Sequence, residues 1–220
     1  MVAIAIDGPS GAGKSTLARA VAAEFGFVYV DTGALYRTVG LYIRRKEIDP
    51  DDAEAVEAAL PGAKVSLAYR DGEQRVFLGD EDVSEAIRTP EASRYASKVS
   101  AIPAVRAFLL ETQRRMAREN SVVMDGRDIG TVVLPDAGIK IFLHASAEER
   151  ARRRYEELIK RGTPQPYEDV LADIRERDER DENRAAAPLR RAEDAVDVDT
   201  TGNTLDESRA LLIRTVRERL

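Results

Sequence analysis

Between the apolar run Val2 to Ile6 and a helically spaced stretch that starts at Ser15, the chain reads Gly8-Pro9-Ser10-Gly11-Ala12-Gly13-Lys14-Ser15. This is the P-loop pattern Gly-x4-Gly-Lys-Ser, and its place between a strand pattern and a helix pattern is what separates it from a chance glycine-rich turn. Glycines at 8, 11 and 13 let backbone N–H groups turn toward phosphates, which also meet the positive end of the following helix. Lys14 can reach the β- and γ-phosphates, Ser15 offers a hydroxyl to Mg²⁺, and Thr16 can add a donor on the α-phosphate side. Gly8, Pro9, Ser10, Gly11, Ala12, Gly13, Lys14, Ser15 and Thr16 are therefore the expected ATP-binding segment, with Mg²⁺ arriving alongside the nucleotide.

The rest of the chain alternates short β-type runs with longer helical patterns. Short β-type runs occur at Val2 to Ile6, Val28 to Asp31, Val122 to Met124, Ile139 to Leu143 and Ala195 to Val198. Several are wholly apolar, as in strands buried on both faces. Helical spacing fills the connections over Ser15 to Phe25, Leu35 to Arg45, Pro103 to Glu119, Ala147 to Lys160, Tyr167 to Arg184 and Leu205 to Leu220. The expected fold is α/β with right-handed crossovers. One segment departs from the alternation: Val65, Leu67 and Tyr69 alternate before Asp71-Gly72, and Arg75 to Leu78 follows, which predicts a β-hairpin inside an inserted lobe. The expected organisation is a core of 1–48, 103–148 and 185–220, an inserted acceptor-binding lobe at 49–102, and a helical lid at 149–184.

Composition narrows the function. With 220 residues the chain can bury a core without staples, and it has no cysteine, which excludes disulfides and thiolate metal sites. No stretch approaches the roughly 20 apolar residues of a membrane span, so a cytoplasmic protein is expected. The net charge of −6 argues against a nucleic-acid-coating protein. Arginine nevertheless makes up 28 of the 34 basic residues, and a few arginine forks can focus a positive field on a small anion. Switch GTPases carry an Asn-Lys-x-Asp box that is missing here, and large motor ATPases need a longer chain. A small phosphotransferase remains, with its acceptor site to be sought elsewhere in the sequence.

Two motifs offer that site. Asp31-Thr32-Gly33-Ala34-Leu35-Tyr36-Arg37 follows the second strand and opens a helix, where Thr32 as N-cap and Arg37 on the first turn can form an anion site. Read blandly, Thr32 is only a cap and Tyr36 a core residue. Asp125-Gly126-Arg127-Asp128 follows the third strand, at the carboxyl end where open α/β sheets take their ligands. Asp125 there can meet Mg²⁺ through water and Arg127 a phosphate, unless the segment is simply a polar turn.

Taken in order, Gly-Pro-Ser-Gly-Ala-Gly-Lys-Ser, Asp-Thr-Gly-Ala-Leu-Tyr-Arg, Asp-Gly-Arg-Asp-Ile-Gly-Thr-Val-Val and Arg-Asp-Glu-Arg-Asp-Glu-Asn-Arg closely resemble the bacterial cytidylate kinases, which phosphorylate CMP and dCMP with ATP. The resemblance covers essentially the whole chain, hairpin insert included. It implies a P-loop NTPase-type three-layer fold with a five-stranded parallel sheet, and ATP and CMP or dCMP as partners. Residue by residue, it implies that Thr32, Arg37 and Arg127 hold the acceptor phosphate, that Ser97, Arg106 and Asp128 meet the cytosine edge, and that Arg177 and Asp181 hold the sugar hydroxyls. Arg184 matches a further arginine near the nucleotides, and Tyr36 an aromatic beside the acceptor. The chemistry of cytosine agrees, since its amine wants a carboxylate and its ring nitrogen and carbonyl want an arginine. Uracil would face Asp128 with an unpaired acceptor, so CMP is expected over UMP.

A nucleoside monophosphate is already ionised at pH 7, so no general base is needed. Lys14, Mg²⁺ and arginines, with Arg127 and Arg184 among them, would align the phosphates and neutralise the migrating group. Arg150, Arg153, Arg154 and Arg161 precede the hinge-like Gly162-Thr163-Pro164, and Arg154 is the first candidate for a lid contact with ATP. Pairing with Glu149, Glu156 and Glu157 is the expectation for at least two of these arginines. His144, the lone histidine, reads as a strand-end residue and not a metal ligand. The rival readings are a P-loop kinase acting on UMP, AMP or shikimate, and a nucleotide-dependent switch. A monomer is expected, because no exposed apolar stripe announces a partner.

Overall fold

A computed structural model describes residues 1–70 and 73–220. In chain order the elements are β1 (Ala3–Asp7), α1 (Lys14–Phe25), β2 (Val28–Asp31), α2 (Thr32–Arg45), α3 (Ala53–Ala59), β3 (Val65–Arg70), β4 (Glu73–Leu78), β5 (Glu81–Asp82), α4 (Pro90–Val99), α5 (Pro103–Glu119), β6 (Val122–Gly126), β7 (Ile139–His144), α6 (Ala147–Lys160), α7 (Tyr167–Asn183), β8 (Val196–Asp199) and α8 (Leu205–Arg217). They fall into two compact units, residues 1–29 with 120–220, and residues 30–119. No helix among the described residues is long and apolar enough to cross a membrane.

The first unit is the α/β part. Its five-stranded sheet has the order β2-β6-β1-β7-β8, with β1 central and paired in parallel to β6 on one side and β7 on the other. Parallel strands need crossovers, and α1 lies in the one from β1 to β2; together with the C-terminal α8 it packs Leu17, Val21, Leu212 and Val216 onto Ile4, Ile6, Val123, Ile141 and Leu143. This places the carboxyl ends of β1 and β6 side by side, Ile6 opposite Asp125 and Asp7 opposite Gly126. Between β6 and β7 the chain makes one wide turn in which the N–H groups of Val133 and Leu134 return to the carbonyls of Asp128 and Ile129, five residues back. Helices α6 and α7 form a hairpin with a small core of Ala151, Leu158, Val170, Leu171 and Ile174. Helix α7 stops at Asn183, one residue short of the sequence expectation, because Arg184 is extended.

The second unit is built around α2. Leu35, Val39 and Ile43 on one side of it pack with Val99, Val105 and Leu109 of the α4–α5 region, and Ala34 and Leu41 pack with Val76, Val83 and Ile87. The expected hairpin is present as antiparallel β3 and β4, with Val65 opposite Leu78 and Tyr69 opposite Gln74, and β5 extends the sheet. Its turn, Asp71-Gly72, lies outside the described residues. The unit is wider than the 49–102 insert expected from sequence, because α2 and α5 share its apolar core.

Candidate active site

Glycine geometry builds the donor loop. Gly8, Gly11 and Gly13 all have positive φ, at 150°, 76° and 83°. A Cβ on Gly8 would lie 1.9 Å from the carbonyl oxygen of Leu143, so β7 and the loop touch backbone to backbone there. Gly13 is the N-terminal cap of α1, and Lys14 is its first residue, which leaves the first turn's N–H groups facing the loop. Lys14 is 6% exposed and donates from Nζ to the Pro9 carbonyl at 2.6 Å, folding its charge back over the loop. Burial, with Arg127 behind it, drives the Lys14 pKa well below the ordinary lysine value. A site that destabilises a cation in this way gains when a polyanion enters it.

Next to the loop, the Ser15 hydroxyl donates to Asp125 Oδ2 at 2.8 Å, and the Tyr29 hydroxyl donates to Asp125 Oδ1 at 3.0 Å. A hydroxyl bonded to a buried carboxylate is the all-oxygen donor set that a hard cation wants, so Ser15 and Asp125 fit Mg²⁺. Among the described residues no group of three or more His, Cys, Asp and Glu is arranged to hold a metal by itself. His144 ends β7 with Nε2 3.3 Å from Asp197 Oδ2.

Two arginine–carboxylate pairs stand beyond the carboxyl end of β6. Arg127 Nε donates to Asp181 Oδ2 at 2.8 Å, and Arg184 Nη2 to Asp128 Oδ1 at 3.4 Å. Burial alone would raise the Asp181 pKa, but Arg127, Arg177 and Arg184 together hold it below the ordinary carboxylate value. Arg127, partly buried, is in turn held charged by Asp181, with Asp125 and Asp178 behind. Thus Arg127, Asp128, Arg177, Asp181 and Arg184, widely separated in sequence, form one charged cluster. Beneath it lies Asp7, which the sequence reading missed. Its Oδ1 accepts from the Ile129 N–H at 2.8 Å and its Oδ2 from the Gly130 N–H at 2.7 Å, so the residue before the donor loop also anchors the turn that follows Asp128. Burial pushes the Asp7 pKa up to about 6 in spite of these two bonds.

In the second unit, Asp31 and not Thr32 caps α2. Asp31 Oδ1 accepts from the Ala34 N–H at 2.9 Å, which makes Thr32 the first helical residue and buries it. Asp31 Oδ2 also holds Arg37 Nη2 at 2.8 Å, while Arg37 Nε is buried with no hydrogen-bond partner among the described residues. Gln74 of β4 receives the Asp31 N–H at 2.9 Å and so fixes the entry to α2. Tyr36 is a core residue, and Arg106 lies over its ring at 5.4 Å while donating to the Ser100 carbonyl. Ser97 is buried in α4 nearby in the chain. Of the arginines before the hinge, Arg153 pairs with Glu149, and Arg154 and Arg161 both pair with Glu157, as expected of a solvated helix face. Arg150 differs, being buried.

The chain has relatives among known proteins. The family model described as Cytidylate kinase matches residues 4–218. The cytidylate kinase of Carboxydothermus hydrogenoformans is 47% identical over 213 residues, covering 97% of this chain and 96% of the relative. That of Geobacter sp. strain M21 is 50% identical over 220 residues, covering 100% and 94%. That of Caldanaerobacter subterraneus subsp. tengcongensis is 53% identical over 206 residues, covering 94% and 90%. Among solved structures, an uncharacterized protein from Eubacterium ventriosum matches with a TM-score of 0.56 at 12% identity over 100% of both chains, a likeness of fold alone.

Proposed function

The chain belongs to the cytidylate kinase family, and we propose that it transfers the γ-phosphoryl group of ATP to CMP or dCMP, giving ADP with CDP or dCDP. The observation that carries this reading is the charged cluster of Arg127, Asp128, Asp181 and Arg184 at the carboxyl end of β6, which also holds the Ser15–Asp125 pair of the donor loop. Gly8 to Thr16 bind ATP, and Ser15, with Asp125 through water, holds the Mg²⁺ that would neutralise phosphate charge when bound.

Thr32, Arg37 and Arg127 take the acceptor phosphate. The unpartnered Arg37 Nε supports this role, because a buried donor without an acceptor costs free energy that an incoming phosphate oxygen recovers. Asp128 accepts from the cytosine amine, with Arg106 and Ser97 on the remaining edge, Tyr36 beside the acceptor, and Arg177 and Asp181 on the sugar. Arg184, paired with Asp128 before the base arrives, stands close to the nucleotides. Since the acceptor oxygen is already ionised, alignment and charge neutralisation by Lys14, Arg127 and Arg184 suffice, and Arg154 would add to them if 149–184 closes as a lid. The protein is taken to work as a monomer on cytoplasmic nucleotide pools.

The test is ADP release with Mg-ATP and, in parallel, CMP, dCMP, UMP, AMP, GMP, shikimate or no acceptor. Turnover confined to CMP and dCMP is expected. A preference for UMP, AMP or shikimate would reassign the acceptor, and ADP release without any acceptor would replace transfer by hydrolysis.

A further inference from the structure

Arg150 stands in the first turn of α6, is 4% exposed, and has no part in the scheme above. Its Nε donates to the Ala145 carbonyl at 2.9 Å, its Nη1 to the Ser10 carbonyl at 3.0 Å and to Asp178 Oδ1 at 3.0 Å, and its Nη2 to Asp178 Oδ2 at 2.6 Å. Gly11 packs directly on it, with the position of a Gly11 Cβ 3.4 Å from the Arg150 Cβ. One planar guanidinium therefore joins the end of β7, the middle of the donor loop and helix α7, a span that a lysine ammonium cannot reproduce.

The contact with Ser10 has a consequence for the loop. In a trans peptide the carbonyl and the following N–H point in opposite directions. Holding the Ser10 carbonyl toward Arg150 aims the Gly11 N–H away from α6, as a P-loop amide must be to meet phosphate. Asp178 completes the link. It lies between Arg177 and Asp181 on α7, and Asp181 holds Arg127 while Arg184, at the end of the same helix, holds Asp128. Burial of an ion pair is a poor way to gain stability, since an apolar pair of similar volume often serves as well. Here the pair binds two elements that carry the donor and acceptor groups.

We propose that Arg150 and Asp178 are positioning residues that clamp the Ser10–Gly11 peptide to α7, so that filling the donor loop changes how α7 presents Arg177, Asp181 and Arg184 to the acceptor. The coupling to the acceptor rests on the cytidylate kinase reading; the clamp on the donor loop does not. By linkage the effect is reciprocal, each nucleotide tightening the other.

The experiment uses the full chain and three variants, Asp178→Asn, Asp178→Glu and Arg150→Lys. Calorimetry gives the affinity for a non-hydrolysable ATP analogue with Mg²⁺, then the affinity for CMP with and without that analogue, alongside the melting temperature. The native chain is expected to bind CMP about tenfold more tightly with the analogue present. Asp178→Asn should weaken analogue binding about tenfold and reduce the coupling to within about twofold, with partial recovery in Asp178→Glu. Should Asp178→Asn fail to fold, Arg150→Lys, which keeps the charge and loses the fork, is read in the same way. A lowered melting temperature with analogue affinity and coupling unchanged would overturn the proposal and leave the pair structural. Absence of CMP binding by the native chain would overturn the cytidylate reading instead, while weakened analogue binding in the variants would still support the clamp.

Discussion

On the proposed function, the donor loop and the acceptor groups solve the same problem, holding phosphate, with different materials. The donor loop is made of backbone: Gly8, Gly11 and Gly13 fix its path, the Leu143 carbonyl abuts it, and Lys14 and Arg150 each tie down one of its carbonyls. The acceptor groups are side chains, and Arg37, Arg127 and Arg184 each hold a carboxylate of the protein, Asp31, Asp181 and Asp128 respectively. A loop of amides is pre-organised and loses nothing when phosphate arrives. Arginines already paired must exchange one anion for another, which makes their affinity adjustable and lets the base decide whether the exchange takes place.

Four changes would break or sharpen that contrast. Lys14→Met removes the only side-chain cation of the donor loop, and kcat should fall on the order of 10³-fold. Circular dichroism should stay native, because a buried amine is itself unfavourable; near-normal turnover would show that backbone alone suffices. Asp7 comes next, as a carboxylate that ends β1 just before the donor loop and holds the turn after Asp128. Its folded pKa of about 6 lies above the unfolded value of 3.8, so the folded chain retains a proton that the unfolded chain releases. Its contribution therefore falls as pH rises from about 4 to about 6, by about 3 kcal/mol. Denaturant unfolding at pH 4 and pH 7 should show this loss for the native chain relative to Asp7→Asn, and parallel pH profiles would contradict it.

Smaller still is Asp128→Ala, for which kcat/KM with CMP should fall by about 100-fold and with UMP by much less. Equal losses on both would mean that Asp128 acts only through Arg184. Arg154→Ala should change least. Its pair with Glu157 is at the surface, with the arginine side chain 34% exposed, and such pairs contribute roughly 0.5 kcal/mol or less. Its melting temperature should be nearly native, and a loss of more than about tenfold in kcat would establish it as a lid contact with ATP.

The same contrast explains what could be read from sequence. The donor loop was legible because its requirements are local: three glycines, a lysine and a hydroxyl at fixed spacing between a strand and a helix. The buried parallel strands were legible as apolar runs, and β3 and β4 as an alternation of period two. Helix α4 went unread although Thr89-Pro90 is a strong start signal, with the Thr89 hydroxyl accepting from the Ala92 N–H at 3.0 Å. It lies in an insert whose partners, α2 and α5, come from before and after it in the chain. Asp31 and Thr32 are both good caps, and only the backbone shows that Asp31 takes the role. Arg150, Arg153 and Arg154 look alike in sequence. What distinguishes Arg150 is Asp178, 28 residues away on another helix, and nothing in local spacing announces that pair.

The central claim is transfer from ATP to a cytidine nucleotide, and it is tested most directly by separating and quantifying the nucleotides after one incubation with Mg-ATP and CMP. The account predicts CDP and ADP in equal amounts and no ADP when CMP is left out. ADP without CDP, or CMP recovered intact while ATP is consumed, would contradict it.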